Sequence, residues 1–202
     1  MRAALAKKLI IAVDLDGIVA DLHHEWLRLY NEEHNHGTQL HDLKSWDMHH
    51  NVEIGHKIYN YLADPGLYLR LKPLAGAVEA LADFHEFGHD VQIITAASKT
   101  PQSAADKYTW CKQHLPFLDR KQITISHQKH RFVSDVFIDD SPVNMRDHAK
   151  AQPGTIRMGI AWPYNEAAKE VMHVRAESYR DPLGAWAIMY EAVNRLANGE
   201  SL

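Results

Sequence analysis

The chain has a single cysteine in 202 residues, Cys111, so no disulfide can form within it. That suits a reducing compartment, and a cytoplasmic location is the expectation. Long apolar runs are missing as well. No stretch reaches the roughly 20 apolar residues that a membrane-spanning helix needs, so no membrane association is expected. The opening MRAALAKKLI lacks a cleavage-site pattern and does not read as a secretory leader. An excess of one charge is also lacking. The chain has 22 Lys and Arg against 26 Asp and Glu, a net charge of −4 with His neutral. Nothing in that balance argues for a nucleic-acid polymer as partner. An anionic small molecule remains compatible, because local charge can oppose the net charge. Repeats and low-complexity tracts are absent.

What is present is core-forming material. Hydrophobic residues make up 46% of the chain, enough for one domain with a small insertion. Apolar runs at 9–13, 91–94, 123–125, 136–138 and 155–160 read as strands. Helical spacing or helix-start signals occur at 75–87, 102–115, 142–149 and from Asp181-Pro182 onward. Strands alternating with helices predict an α/β fold: a Rossmann-like parallel sheet with helices on both faces. Residues 22–71 break the rhythm. They are rich in His, Asn, Asp and aromatics, with helical patterns at 24–33 and 54–62. The segment is too long for an ordinary loop. It is expected to form a small helical cap inserted after the first strand, with 1–21 and 72–202 forming the core.

The stretch "IIAVDLDGIVAD" puts Asp14 and Asp16 at the end of the most hydrophobic strand, with Gly17 after them. The second predicted strand ends in Thr95, the third is followed by Lys129, and the fourth runs into Asp139-Asp140. Ligands of open α/β sheets sit beyond the carboxyl ends of the strands, so these residues converge. Side chains two apart on extended backbone face the same side, which lets Asp14 and Asp16 share a site. With Asp139 they form a hard oxygen-rich set suited to Mg²⁺ and a phosphate. Asp14 can then attack phosphorus, and Asp16 can serve as acid and then base. Thr95 can bond a phosphate oxygen, and Lys129 can neutralise transferring charge. Gly17 can let backbone amides approach the phosphate. An EF-hand does not fit: Gly17 falls at position four of the loop rather than six, and a strand precedes it.

These motifs resemble the haloacid dehalogenase-like hydrolases. "DLDGIVAD", "DPGLYLRLKPLAGAVEAL", "DKYTWCKQHL" and "VFIDD" are similar to stretches of the 5'(3')-deoxyribonucleotidases within that superfamily. The family places its lysine ten residues before the acidic pair, as Lys129 stands before Asp139. The resemblance covers about 9–140 and is weaker in the cap and the last third. It implies Mg²⁺-dependent dephosphorylation of nucleoside monophosphates. Asp14 would be the nucleophile and Asp16 the acid/base, with Thr95 and Lys129 on the phosphate. The implied metal set is Asp14, the Asp16 carbonyl and Asp139, with Asp140 as a further ligand or a supporting partner. One departure stands out: the usual Thr-Ser-Pro is here Thr95-Ala96-Ala97.

Substrate contacts are expected from the cap aromatics, Trp46 first, and from Ser98 and Lys99 just beyond Thr95. Asp21 is a helix cap or an orienting residue for the crossing into the cap. Ser141 is expected to cap a helix. Most of the fifteen histidines are expected to face solvent, since their spacing matches no zinc pattern. A homodimer is the expected assembly. Two other readings share the scaffold: a phosphatase of another small phosphate, such as a sugar phosphate, and a non-catalytic nucleotide sensor.

Overall fold

The computed structural model describes residues 7–177 and 179–202. Six parallel strands form one sheet in the order β3-β2-β1-β4-β5-β6. They span Ile10–Val13, Asp90–Thr95, Ile123–Ile125, Val136–Ile138, Ile156–Ile160 and Val174–Ala176 for β1 to β6. Among the described residues five α-helices, α1 to α5, cover Leu22–His34, Ala77–Glu86, Pro101–His114, Pro142–Ala151 and Pro182–Ala197. The α/β expectation holds, with helices on both faces. None of the described helices is long and apolar enough to cross a membrane.

The central strands β1 and β4 are apolar on both sides because both sides are buried. In β1, Ile11 and Val13 join the larger core, while Ala12 between them joins a second cluster with Ile94, Phe137 and Met145. In β4, Val136 and Ile138 likewise point away from Phe137. The chain first builds outward from β1 to β2 and β3. It then crosses back to β4 on the other side of β1 and continues to β5 and β6. The order therefore reverses at β1 and β4, which opens a crevice beyond their carboxyl ends. β6 was not anticipated: it is three residues long with Arg175 at its centre, too short and too polar for an apolar-run signal.

Two N-cap expectations hold. Asp181 accepts from the Gly184 amide and Ser141 from the Asn144 amide. Asp21 also caps, accepting from the His24 amide at the start of α1. Between α1 and α2 the expected second helix is not α-helical. Gly55–Ala63 is a 3₁₀ helix, and shorter 3₁₀ turns lie at Leu40–Asp42, Met48–His50 and Tyr68–Arg70. Short polar side chains take over local backbone groups here. The Asn31 amide bonds both the Thr38 carbonyl and amide, and Asn51 does the same at Ser45.

Three buried indoles fix where this stretch leaves and rejoins the sheet. Trp162 Nε1 donates to the Gly17 carbonyl at 2.9 Å and Trp186 Nε1 to the Ile18 carbonyl at 3.0 Å. On the return, Trp110 Nε1 donates to the Leu71 carbonyl at 2.8 Å. The two crossings also pair with each other. Ala20 bridges Pro73, the Asp21 amide donates to Lys72 O and the Leu74 amide to Val19 O. Trp186→Phe keeps one aromatic ring but leaves a small void and strands a buried carbonyl at Ile18. It should cost about 1–3 kcal/mol, seen as a fall of several degrees in Tm by thermal melting.

Candidate active site

The crevice beyond β1 and β4 holds an unusual density of buried charge. The Asp14 amide extends the ladder by donating to Ile138 O at 2.8 Å, which fixes its carboxylate at the sheet edge. Lys129 lies in the 3₁₀ turn Lys129–Arg131 after β3 and is 3% exposed. Its Nζ reaches Asp14 Oδ1 at 2.6 Å and Asp139 Oδ2 at 2.9 Å. Asp139 is fully buried, and its remaining capacity is taken by the Ser141 amide and by Asn144 Nδ2, which reaches both oxygens. Asp140 differs: it lines the cavity and receives the Tyr164 hydroxyl on Oδ2. Carboxylate oxygens of Asp14, Asp139 and Asp140 lie within 4.8 Å of one another.

Burial governs the ionisation of this group. Desolvation lifts the Asp14 carboxyl above its ordinary value, and Lys129 pulls it back. Asp139 is pushed up to about 6 by burial, with Lys129 opposing. Asp140 is raised further by burial and by Asp14, with no ammonium in contact. Lys129 would be lowered by burial alone, yet Asp139 and Asp14 hold it above the usual lysine value. Three buried carboxylates thus have one lysine among them, and it meets only Asp14 and Asp139. An all-oxygen donor set with surplus negative charge fits a hard divalent cation.

The Asp16 carboxylate lies outside that cluster. Its Oδ2 is paired with Lys107 of α3, while Oδ1 is buried without a partner. Lys107 is 1% exposed, sits over the Tyr68 ring, and also donates to Ala96 O at 2.5 Å and Thr95 Oγ1 at 3.1 Å. Sequence reasoning passed over Lys107, Asn144 and Tyr164. A signal for the first existed: Lys107 shares the buried stripe of α3 with Ser103, Trp110 and Cys111, where a lone surface lysine has no place.

A cavity of about 400 Å³ opens above these groups. Asp14, Asp16, Lys107, Lys129 and Asp140 line it, with Ala96, Ala97 and Ser98 on one side. Aromatic walls come from Trp26, Trp46, Tyr59 and Tyr68. Trp46 is 40% exposed, its ring 5.5 Å from that of Tyr164. The Ser98 hydroxyl donates to Leu62 O at 3.0 Å. Lys99 lines a neighbouring depression with His56 and His127 instead. Thr95, Gly17 and Asp139 lie behind the wall. Gly17, at φ 71°, makes room for its neighbours: a Cβ there would overlap Asp140 Oδ2 and sit 2.8 Å from His23 Cε1.

The histidines are less uniformly exposed than expected, because His23, His89 and His148 are buried. His23 lies against Trp162 and Tyr164, with ring centroids 4.8 Å and 5.2 Å away. Among the described residues the acidic trio is the one group of three or more side chains placed to hold a metal, and no histidine joins it.

A parallel sheet carrying an aspartate pair after its central strand, a buried lysine and an acidic pair after the adjacent strand defines a haloacid dehalogenase-like phosphoric monoester hydrolase. A model described as "5' nucleotidase, deoxy (Pyrimidine), cytosolic type C protein" matches residues 8–185, and the chain belongs to that family. A 5'(3')-deoxyribonucleotidase of Clostridium acetobutylicum is 30% identical over 139 residues, 68% of this chain and 76% of the relative. A putative 5'(3')-deoxyribonucleotidase of Staphylococcus aureus is 32% identical over 65% of this chain and 73% of its own length. A Bacillus subtilis 5'(3')-deoxyribonucleotidase is 25% identical over 68% and 79%.

Burial lowers His23 from 6.5 to about 4. The unfolded chain therefore binds this proton first. The stabilising contribution is complete above pH 6.5 and is lost as pH falls through about 4, on the order of 3 kcal/mol in all. His23→Phe keeps a ring against Trp162 and removes the titration. Relative to wild type, its Tm should improve as pH falls from 6.5 to 4, measured by melts of both proteins across that range.

Proposed function

We propose that the protein is a Mg²⁺-dependent 5'-nucleotidase that dephosphorylates deoxyribonucleoside monophosphates through a phosphorylated Asp14. One observation carries the reading: the buried Asp14–Lys129 pair, 2.6 Å apart, on the floor of an aromatic-walled cavity. In this reading the pair supplies the carboxylate nucleophile and the phosphate-neutralising ammonium beneath a pocket suited to a nucleobase and sugar. The names of the relatives point to the same substrate class.

In this reading the Asp14 carboxylate oxygen attacks phosphorus in line with the departing sugar oxygen. Asp16 gives its proton to that oxygen, then takes one from the water that hydrolyses the acyl phosphate. Lys107 holds Asp16 for both transfers, and Thr95 steadies Lys107 through its hydroxyl. Lys129 faces the transferring charge. Asp14, Asp140 and the Asp16 carbonyl would hold Mg²⁺. Asp139, expected from the sequence among the ligands and lying in the same acidic trio, is already bonded by Asn144, the Ser141 amide and Lys129, and in this reading it positions Lys129 instead. Bound there, the cation would supply the positive charge that offsets the repulsion of carboxylates and phosphate. Ala96 and Ala97 present methyl groups where the family usually has Ser-Pro, so the phosphate meets main chain there. Residues 22–71 act as the cap that excludes water, and the single buried Cys111 suits the cytoplasm.

The test is phosphate release from deoxyribo- and ribonucleoside monophosphates and sugar phosphates, with Mg²⁺ and with EDTA. Release should favour deoxyribonucleotides, stop with EDTA and vanish in Asp14→Asn. Asp16→Asn should lower kcat by about 10²–10⁴-fold. Lys107→Met should also lower kcat, with a smaller change in KM. Release from sugar phosphates alone would keep the chemistry and discard the substrate. Nucleotide binding without any turnover would favour a sensor.

A further inference from the structure

Of the four carboxylates lining the cavity, Asp14, Asp16 and Asp140 belong to strand ends. The fourth, Asp47, comes from the inserted stretch, with Ser45, Trp46 and Met48 beside it on the wall. Asp47 occupies the N-cap position of the Met48–His50 turn, where an aspartate ordinarily bonds the first free amides. It does not: the side chain makes no capping bond, and its own amide is anchored to Ser45 Oγ at 3.2 Å. Among the described residues its carboxylate has no hydrogen-bond or ion-pair partner. An exposed acceptor-only group, with the His49 imidazole in electrostatic reach, thus stands on a wall shared with Trp46, Tyr59 and Trp26.

We propose that Asp47 selects the nucleobase, favouring bases that carry an exocyclic amine over uracil and thymine. The inference rests on the nucleotidase reading given above. Aromatic faces accept any base, because every base has a π-face. Discrimination needs an edge contact. A carboxylate accepts from the cytosine N4 amine, and equally from the adenine N6 or guanine N2 amine. Uracil and thymine present the O4 carbonyl where cytosine has its amine, so in the same register the carboxylate meets an acceptor, and it pairs only if the base shifts to offer its N3–H instead. Cytosine and uracil are close in size, so the contrast between them is one of hydrogen-bonding polarity.

The experiment compares kcat/KM for dCMP and dUMP in wild type, Asp47→Asn and Asp47→Ala, with p-nitrophenyl phosphate as a substrate lacking any base. Wild type should prefer dCMP by about tenfold, chiefly through KM. Asparagine offers both donor and acceptor, so Asp47→Asn should bring the two substrates within about twofold. Asp47→Ala should lose the preference as well, and turnover of p-nitrophenyl phosphate should be unchanged in both variants. Equal kcat/KM for dCMP and dUMP in wild type, or a preference that survives Asp47→Asn, would overturn the role of Asp47 alone. Turnover of p-nitrophenyl phosphate with none of any nucleotide would overturn the nucleotide reading, and this one with it.

Discussion

The structure turns on the burial of negative charge at the ends of β1 and β4. Taking a carboxylate out of water is costly unless a counter-charge or hydrogen bonds replace the solvent. This chain buries Asp14, Asp139 and Asp140 side by side. Lys129 meets Asp14 and Asp139, Asn144 and the Ser141 amide add bonds to Asp139, and the Tyr164 hydroxyl meets Asp140. The compensation is unequal. Asp139 is saturated, while Asp140 has a hydroxyl and no cation. The site is therefore built to be completed by positive charge, and the surrounding elements serve to hold the carboxylates close while it arrives.

Two buried lysines divide the work between them. Lys129 approaches from the turn after β3 and sits between Asp14 and Asp139. Lys107 approaches from α3 and holds Asp16, tied at the same time to Thr95 and Ala96 at the end of β2. Each aspartate of the first motif thus has its own ammonium, delivered by a different element. Two carboxylates two residues apart are in this way given unlike surroundings, as two different chemical roles on one motif would require.

The sheet was legible because its strands, buried on both faces, read as apolar runs in sequence. Asp14, Asp16, Lys129 and Asp139-Asp140 were legible because they follow those runs directly. What was missed shares a different character. Lys107 and Tyr164 approach the site laterally, from a helix face and from the segment after β5, so no strand end announces them. The 3₁₀ character of residues 55–63 was hidden because an apolar stripe looks much the same at three and at 3.6 residues per turn. Gly17 was singled out for a phosphate, and the structure adds two neighbours that its missing Cβ spares, Asp140 and His23. Such relations depend on which parts of the chain meet across the sheet, and local pattern does not carry them.

The paired crossings at Ala20 and Pro73 have a consequence for how such a protein diversifies. The residues that leave β1 and those that return to α2 are hydrogen-bonded neighbours, anchored by Trp162, Trp186 and Trp110. The ends of the excursion are already together, so its length bears only weakly on the entropy of closing it. Insertions, deletions and drift can accumulate between them while the strand-end carboxylates keep their positions. A lineage can in this way inherit the reaction intact and renew the choice of substrate by rewriting one stretch of chain.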